Sequence, residues 1–547
     1  MYTIAFAELC ERFSYYGSAV LYTNFVNRPL PPGSTTGAPA DPNGSIIPGA
    51  LGMGPKAAQG INLFNQFFAY LMPLFGAWLA DAKLGRYKTI HIAIVVSTIA
   101  HVILVAAAAP GVLTSGNKGG FGAFIIGLLL LCTGTGLFKA NISPLLAEQN
   151  RDTRMRVEVQ NGERVLIDPS ITNSRVFLWF YFAINIGATV GQVCMVFVEK
   201  YHSFWLAFFL PTVLFLLCPL VLALNKKHYH LTPPTGSVLQ KFLQMFGFAK
   251  KRSTGAFSVN WEAAKPSNVP VAERPGWMTY DDAWVDEVKR GLMACKVFLF
   301  LPIFFLAYNQ MTGNLTTQAG TMELHGAPND VIQNLNPLSI IIMVPIMDKV
   351  VYPGLRKMGI AFTPLKRMAV GFQFATASMV AACVMQYFIY EKSPCGWNAN
   401  TCAEEGEVAP INVWAQSLPY VLVGIAEIFT NVSSYEYAFA KAPENMKSLV
   451  MSVNLFMSAI SAALGQAFTP ISGDPYLVWN YAAVSGISFI GGIAFWLLLP
   501  HLDSQEDKLN MLQKTEFLGT VQPNARPRAR GGCRDQGLIA HCFTVVV

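Results

Sequence analysis

Twelve stretches of about twenty predominantly apolar residues recur along this chain, each long enough for a helix to cross the hydrocarbon core of a bilayer. They lie at roughly 1–26, 57–80, 89–109, 121–147, 176–198, 204–223, 295–317, 334–353, 366–390, 413–438, 447–470 and 476–499. Of 547 residues, 53% are hydrophobic and 13% charged, against about 25% charged in a soluble domain. The expected fold class is an all-α polytopic membrane protein with 12 transmembrane helices. The first stretch is too long and too polar at its centre to be a signal peptide. It begins with no basic segment before it, so the first helix is expected to be short at its cytoplasmic end.

The connecting segments sort by charge. Arg and Lys crowd alternate loops: Lys83, Arg86 and Lys88; Arg151 to Arg175; Lys226 to Arg252; Arg356 to Arg367; Lys441 and Lys447. The other loops hold Arg28, Lys118, Lys200 and Lys392. By the positive-inside rule both termini are cytoplasmic. The net charge of +7 then reflects orientation and implies no nucleic-acid partner; Arg526–Arg534 is too short and glycine-rich to argue otherwise. Cys395 and Cys402 share an outside loop and are expected to form a disulfide, with two free thiols as the alternative. Asn43-Gly-Ser45 in the first outside loop is a glycosylation sequon. Sequon and disulfide point to the secretory route of a multi-pass membrane protein.

Charges stand where lipid-facing helices cannot tolerate them. Glu8, Glu11 and Arg12 lie at helical spacing on one face with Tyr15, inside an otherwise apolar helix. A charge at a bilayer centre costs roughly 2.5–3.5 kcal/mol on insertion scales, so such groups face a partner or a water-filled cavity. A carboxylate pair beside an arginine reads as ion-coupled transport. Lys139 and Glu427 are further intramembrane charges, and Asn141, Asn185, Asn309, Asn314 and Asn336 are polar groups that helix packing alone could also explain. Arg12 and Lys139 put positive charge in the first half, and Glu427 puts negative charge in the second. A peptide-sized zwitterion would bridge them. Tyr16, Tyr70 and Tyr181 could line its side-chain pockets. His91 and His101, ten residues apart in the third stretch, are better read as packing than as a metal site, and no metal or cofactor is expected besides the coupling proton.

The halves resemble one another. Pro73-Leu-Phe-Gly76…Asp81…Arg86 ends the second stretch much as Pro345-Ile-Met-Asp348…Arg356 ends the eighth. Six helices per half imply two bundles around a central cavity: 1–224 as the N-terminal bundle, 225–294 as a cytoplasmic linker, 295–500 as the C-terminal bundle, and 501–547 as a disordered cytoplasmic tail or a gene-prediction artefact. The Asp81–Arg86 turn resembles the cytoplasmic loop motif of the major facilitator superfamily, which implies a gating latch; ordinary topology-setting charge is the competing reading.

Glu8-x-x-Glu11-Arg12-Phe-x-Tyr15-Tyr16-Gly17, Gly134-Thr-Gly-x-x-Lys139-x-Asn141-x-x-Pro144 and Phe180-Tyr-x-x-Ile-Asn185-x-Gly187 resemble the signatures of the proton-dependent oligopeptide transporter family. Glu436-Tyr437-Ala438…Ala442-Pro443…Met446-Lys447-Ser448 is also similar, and the Cys395/Cys402 loop with Tyr308-Asn309-Gln310 resembles the fungal di- and tripeptide branch. The resemblance implies a proton-coupled symporter importing di- and tripeptides across the plasma membrane by alternating access; a functional monomer is expected. Arg12 and Lys139 would hold the peptide carboxylate, Glu427 with Asn185 and Asn336 the amino terminus, and Glu8, Glu11 and Arg12 would couple the proton. The chain departs from bacterial members at Ala19 and Asn309, where an arginine–glutamate pair is missing, and at Asn454, where a pocket tryptophan is missing. An anion carrier and a peptide sensor remain as alternatives. An enzyme is not expected, because no metalloprotease motif or nucleophile–base grouping is present.

Overall fold

The computed structural model describes residues 2–149, 156–160, 163–167, 169–231, 238–253, 259–360, 362–441 and 447–498. The expected tail from 501 lies outside them. Twelve long helical runs follow the apolar stretches: α1 Tyr2–Ala19, α2 Gly54–Leu84, α3 Arg86–Ala107, α4 Gly119–Leu146, α5 Phe182–Tyr201, α6 Phe204–Leu224, α7 Asp282–Tyr308, α8 Val331–Leu355, α9 Pro364–Lys392, α10 Val413–Tyr437, α11 Lys447–Gly465 and α12 Leu477–Leu498. Ten of them are long and apolar enough to cross a membrane by length and composition. Exposed apolar residues recur at helical spacing, as at Val95, Ile99 and Val102 on α3, which gives the lipid-facing belt that a water-soluble helix bundle would bury.

Two apolar cores are built from buried residues of the first half: one joins Tyr15, Tyr22, Phe25, Phe124 and Phe208, with Val331 of the second half packed against it, the other Ile4, Ile94, Phe138 and Phe215. A large core, mostly of the second half, joins α7, α9, α10 and α12 and takes in Ile47 of the first. That core takes in part of the linker as well. A helix at Val238–Lys251 contributes Met245 and Ala249, and Tyr280 and Trp284 follow. The indole N–H of Trp78 on α2 donates to Gln240 of this linker helix at 3.1 Å. The seventh helix therefore starts earlier than its apolar stretch. Asp282–Ala294 is amphipathic, burying Trp284, Val285 and Val288, so a search for unbroken apolarity passes over it. It also ends earlier, because Asn309, Gln310 and Gly313 break the run before a short helix at Asn314–Ala319.

The ends of the molecule differ. Call the end bearing the Cys395–Cys402 loop the disulfide face and the opposite end the linker face. The cysteines are bonded, with Cα atoms 5.9 Å apart. Nearby, Met322–Glu323 pairs parallel with Ala409–Asn412. Among the described residues, the hydrogen bonds that join the two halves directly gather toward this face: Thr23 Oγ1 to Thr312 O at 2.6 Å, Asn24 to Asn329 at 2.9 Å, Arg28 Nη1 to Asn400 O at 3.1 Å, Lys200 Nζ to Ala327 O at 2.9 Å, and Gln466 Nε2 to Gly60 O at 2.8 Å. The disulfide face is closed.

Both α2 and α8 end at the linker face in π-helical turns, Ala80–Leu84 and Met347–Val351. The internal resemblance noted in the sequence thus recurs as backbone geometry.

Candidate substrate and proton site

The charged cluster of α1, Glu8, Glu11 and Arg12, is buried against other helices of the first half. Arg12 Nε lies 3.1 Å from Glu8 Oε1, and Nη2 lies 2.5 Å from Glu11 Oε2. One guanidinium therefore serves two carboxylates, and its face also lies 5.8 Å and 5.9 Å from the ring centroids of Tyr15 and Tyr16, within cation–π range. Helix α1 reaches this depth because α5 presents glycines to it. A Cβ on Gly187 would come within 2.5 Å of the Leu9 carbonyl oxygen, and one on Gly191 equally close to that of Phe13. The glycine of the Asn185-x-Gly187 motif is thus a packing requirement.

Lys139 on α4 completes the positive side. Its Nζ stands 4.8 Å from the Tyr70 ring centroid, and its charge interacts with Arg12, Glu8 and Glu11. Asn141 does something different. Its amide donates to Gly76 O at 3.2 Å and to Leu137 O at 2.8 Å, tying α4 to α2, so the packing reading fits this residue.

The negative side is on α10. Glu427 Oε2 accepts from Asn336 Nδ2 of α8 at 3.1 Å, and the carboxylate also bonds Asn431 and Tyr308. Those partners are neutral. Glu427 opens a π-turn at Ile428–Val432, a backbone irregularity frequent at functional sites. Tyr16, Tyr70, Tyr308 and Tyr435 share the electrostatic surroundings of Glu427. These four tyrosines, Glu427 and Lys139 all keep some accessible surface, as groups lining an internal space between the halves would.

The structure brings together Glu8, Glu11, Arg12, Tyr16, Tyr70 and Lys139 on one side and Asn336 with Glu427 on the other. Asn185 keeps accessible surface on α5. Asn309 is buried, and neither atom of its amide has a hydrogen-bond partner. The side chain of Tyr181 lies outside the described residues. Asp81 and Arg86 lie 3.8 Å apart, and Arg86 also pairs with Glu148 at the end of the α4 helix; these contacts fall within the first half. Asn454 is buried and donates to Ser434 at 3.0 Å, bracing α11 against α10. Sequence reasoning singled out Tyr308 only within the Tyr308-Asn309-Gln310 run, with no site role, and missed Asn431 and Tyr435. Asn431 stood one helical turn after Glu427, which is the spacing that could have found it. Among the described residues no cluster of three or more His, Cys, Asp or Glu could hold a metal ion.

The profile of the POT family matches residues 87–484. The probable peptide transporter ptr2 of Schizosaccharomyces pombe is 38% identical over 515 residues, covering 94% of this chain and 79% of that protein. The peptide transporter PTR2 of Saccharomyces cerevisiae is 34% identical over 534 residues, covering 96% and 83%. A transporter from Acremonium sp, the MFS-type transporter ucsM, is 39% identical over 512 residues, covering 91% and 82%. The crystal structure of the POT family transporter PepTSo superposes with a TM-score of 0.69 at 21% identity, covering 92% of this chain and 98% of that one.

Proposed function

The chain belongs to the POT family, a family of transporters and not of enzymes, and on that premise we propose that it is a proton-coupled symporter importing di- and tripeptides across the plasma membrane by alternating access. One observation carries the reading. Arg12 in one half and Glu427 in the other both act on Tyr16 and Tyr70, Lys139 stands over the Tyr70 ring, and Glu427 is held by neutral donors. An ammonium group is the chemical complement of that carboxylate, and a peptide carboxylate is the complement of the two cations.

In this reading Arg12 and Lys139 hold the peptide carboxylate, and Glu427, oriented by Asn336, holds the amino terminus. Asn185 and Asn309 supply further polar contacts, and Tyr16, Tyr70 and Tyr181 line the side-chain pockets. The coupling follows from the α1 cluster. With no peptide, Arg12 pairs with Glu8 or Glu11, which keeps that carboxylate ionised. A peptide carboxylate competes for the guanidinium, and a carboxylate left without its cation in a poorly solvated space is neutralised by a proton. Peptide and proton then raise each other's affinity, as linkage requires. The linker face is assigned to the cytoplasm on loop charge, and Asp81 with Arg86 is assigned to gating there. The division into bundles at 1–224 and 295–500 is supported by the largely separate apolar cores, and a monomer suffices because both sides of the site come from one chain.

The test is uptake of a labelled dipeptide into proteoliposomes with and without an inward proton gradient. Gradient-driven accumulation that tripeptides block and N-acetylated dipeptide does not is expected. Absence of peptide uptake from a folded preparation overturns the substrate assignment, and uptake indifferent to the gradient overturns the coupling.

A further inference from the structure

A second group of buried acids lies well away from the α1 cluster, at the disulfide face. Glu199 closes α5, Asp330 immediately precedes α8, and Asn24 and Asn329 stand between them; all four are buried. Asn24 and Asn329 exchange amide hydrogen bonds in both directions, each at 2.9 Å. That leaves Asn24 one N–H for two carboxylates, Glu199 Oε1 at 2.6 Å and Asp330 Oδ2 at 3.4 Å. Glu199 Oε2 and Asp330 Oδ1 have no hydrogen-bond partner at all. The neighbouring Lys200 directs two of its three N–H groups to Gly326 O at 3.0 Å and Ala327 O at 2.9 Å and acts on Asp330 through its charge.

Two buried acids that interact electrostatically therefore leave one oxygen each without a donor. Adding one proton repairs the count, converting an acceptor into a donor and removing the repulsion between like charges.

We propose that Glu199 and Asp330 form an outer proton site that stabilises the closed outer face when one of the two carboxyls is protonated. The proton comes from the external medium while the face is open, forms one O–H bond on a carboxylate oxygen, and returns to the same medium when the face reopens. It gates closure without being carried across. Around the pair, Lys200 and the Tyr420 hydroxyl act on Asp330, and Asp41 acts on Lys200. Burial pushes the Asp330 carboxyl up to about 7, with a backbone hydrogen bond and then Lys200 opposing, which puts its titration between an acidic exterior and a neutral one. The inference shares only the alternating-access frame of the proposed function and does not depend on the substrate.

The test labels Thr317→Cys in intact cells with a membrane-impermeant maleimide, against the same protein without that substitution. Thr317 accepts from Asn27 at 3.4 Å across the closed face, so labelling reports opening. No peptide is added, which keeps failure here distinct from failure of the peptide assignment. Linkage to one proton changes the open-to-closed ratio by up to about tenfold per pH unit. Labelling is divided at each pH by that of an exposed Thr35→Cys on the same face, so that thiolate ionisation cancels. The ratio is expected to rise at least about tenfold from external pH 5 to pH 8, and by less than about twofold in Glu199→Gln or Asp330→Asn. Loss of a merely structural contact would raise labelling at every pH and leave the slope intact. A slope that survives in both variants, or one abolished by Glu11→Gln and not by them, overturns the proposal.

Discussion

Arg12 reaches Glu11 at 2.5 Å and Glu8 at 3.1 Å, so a single buried cation holds two anions that would otherwise repel. Occupancy of Arg12 by substrate is then equivalent to releasing a proton acceptor. Glu11→Gln keeps the shape of the cluster and removes the acceptor. The expected outcome is loss of pH-driven accumulation with survival of peptide exchange between equal pools, measured in the same proteoliposomes. Continued concentration of peptide in response to pH would move the coupling role to another group. Arg12→Ala should be worse, since removing one partner of a buried ion pair costs about 3–5 kcal/mol. It is expected to lower thermal stability as well as transport.

Asn336 bonds Glu427 at 3.1 Å and is itself buried. Hydrogen bonds to charged groups are worth about 1.5–3 kcal/mol, so Asn336→Ala is expected to raise the KM for dipeptide by about tenfold or more, with a smaller effect on maximal rate. The exchange assay reads both. An unchanged KM would mean that Glu427 is oriented well enough by Tyr308 and Asn431.

Glu427→Gln separates substrate classes. A peptide carrier that captures an ammonium here loses most of its uptake, whereas an anion carrier relying on Arg12 and Lys139 is scarcely affected. Parallel uptake of a dipeptide and of a small organic anion decides between them.

What the sequence disclosed, and what it hid, has a physical pattern. Glu8, Glu11, Arg12, Lys139 and Glu427 were legible because charge is rare in apolar helices, and the apolar stretches located the membrane helices for the same reason. The amphipathic start of α7 was hidden because Asp282–Ala294 has the composition of a soluble helix. The Glu199–Asp330 pair was hidden differently. Each acid stands at a helix end, where charge is ordinary, and only the closure of the two halves buries them together. Partners 175 and 306 residues from Asn24 leave no local spacing to read. The site roles of Tyr308 and Asn431 escaped because tyrosine and asparagine are common in helix interfaces, and each role depends on which way Glu427 points.

Acid should stabilise the isolated protein. The Asp330 carboxyl, raised by burial from 3.8 to about 7, binds its proton more tightly in the folded state. Between those values the folded protein holds more protons than the unfolded one, so stability falls as pH rises. The contribution is fully present below the unfolded value and lost once pH passes the folded one. Tm in detergent is expected to drop by several degrees from pH 5 to pH 8, and Asp330→Asn should flatten that drop. An equal drop in the variant would assign it to other groups.

The disulfide braces the closure of its own face. Cys402 lies in the short helix Ala399–Glu404. Within that helix the Asn400 carbonyl accepts from Arg28 of the other half at 3.1 Å, and the Asn400 N–H donates to Asp474 Oδ2 at 2.7 Å. Asp474 is held in turn by the Tyr390 hydroxyl at 2.6 Å. Breaking a link across so short a loop should cost about 2–3 kcal/mol on loop-entropy grounds. Part of that cost falls on the closed face alone, because only there does Arg28 meet Asn400. Cys402→Ser is therefore expected to lower Tm and to speed maleimide labelling of Thr317→Cys at acidic external pH, where the parent is closed. The remaining thiol of Cys395 is blocked beforehand by Cys395→Ser. A lower Tm with unchanged labelling would confine the disulfide to stability and remove it from gating.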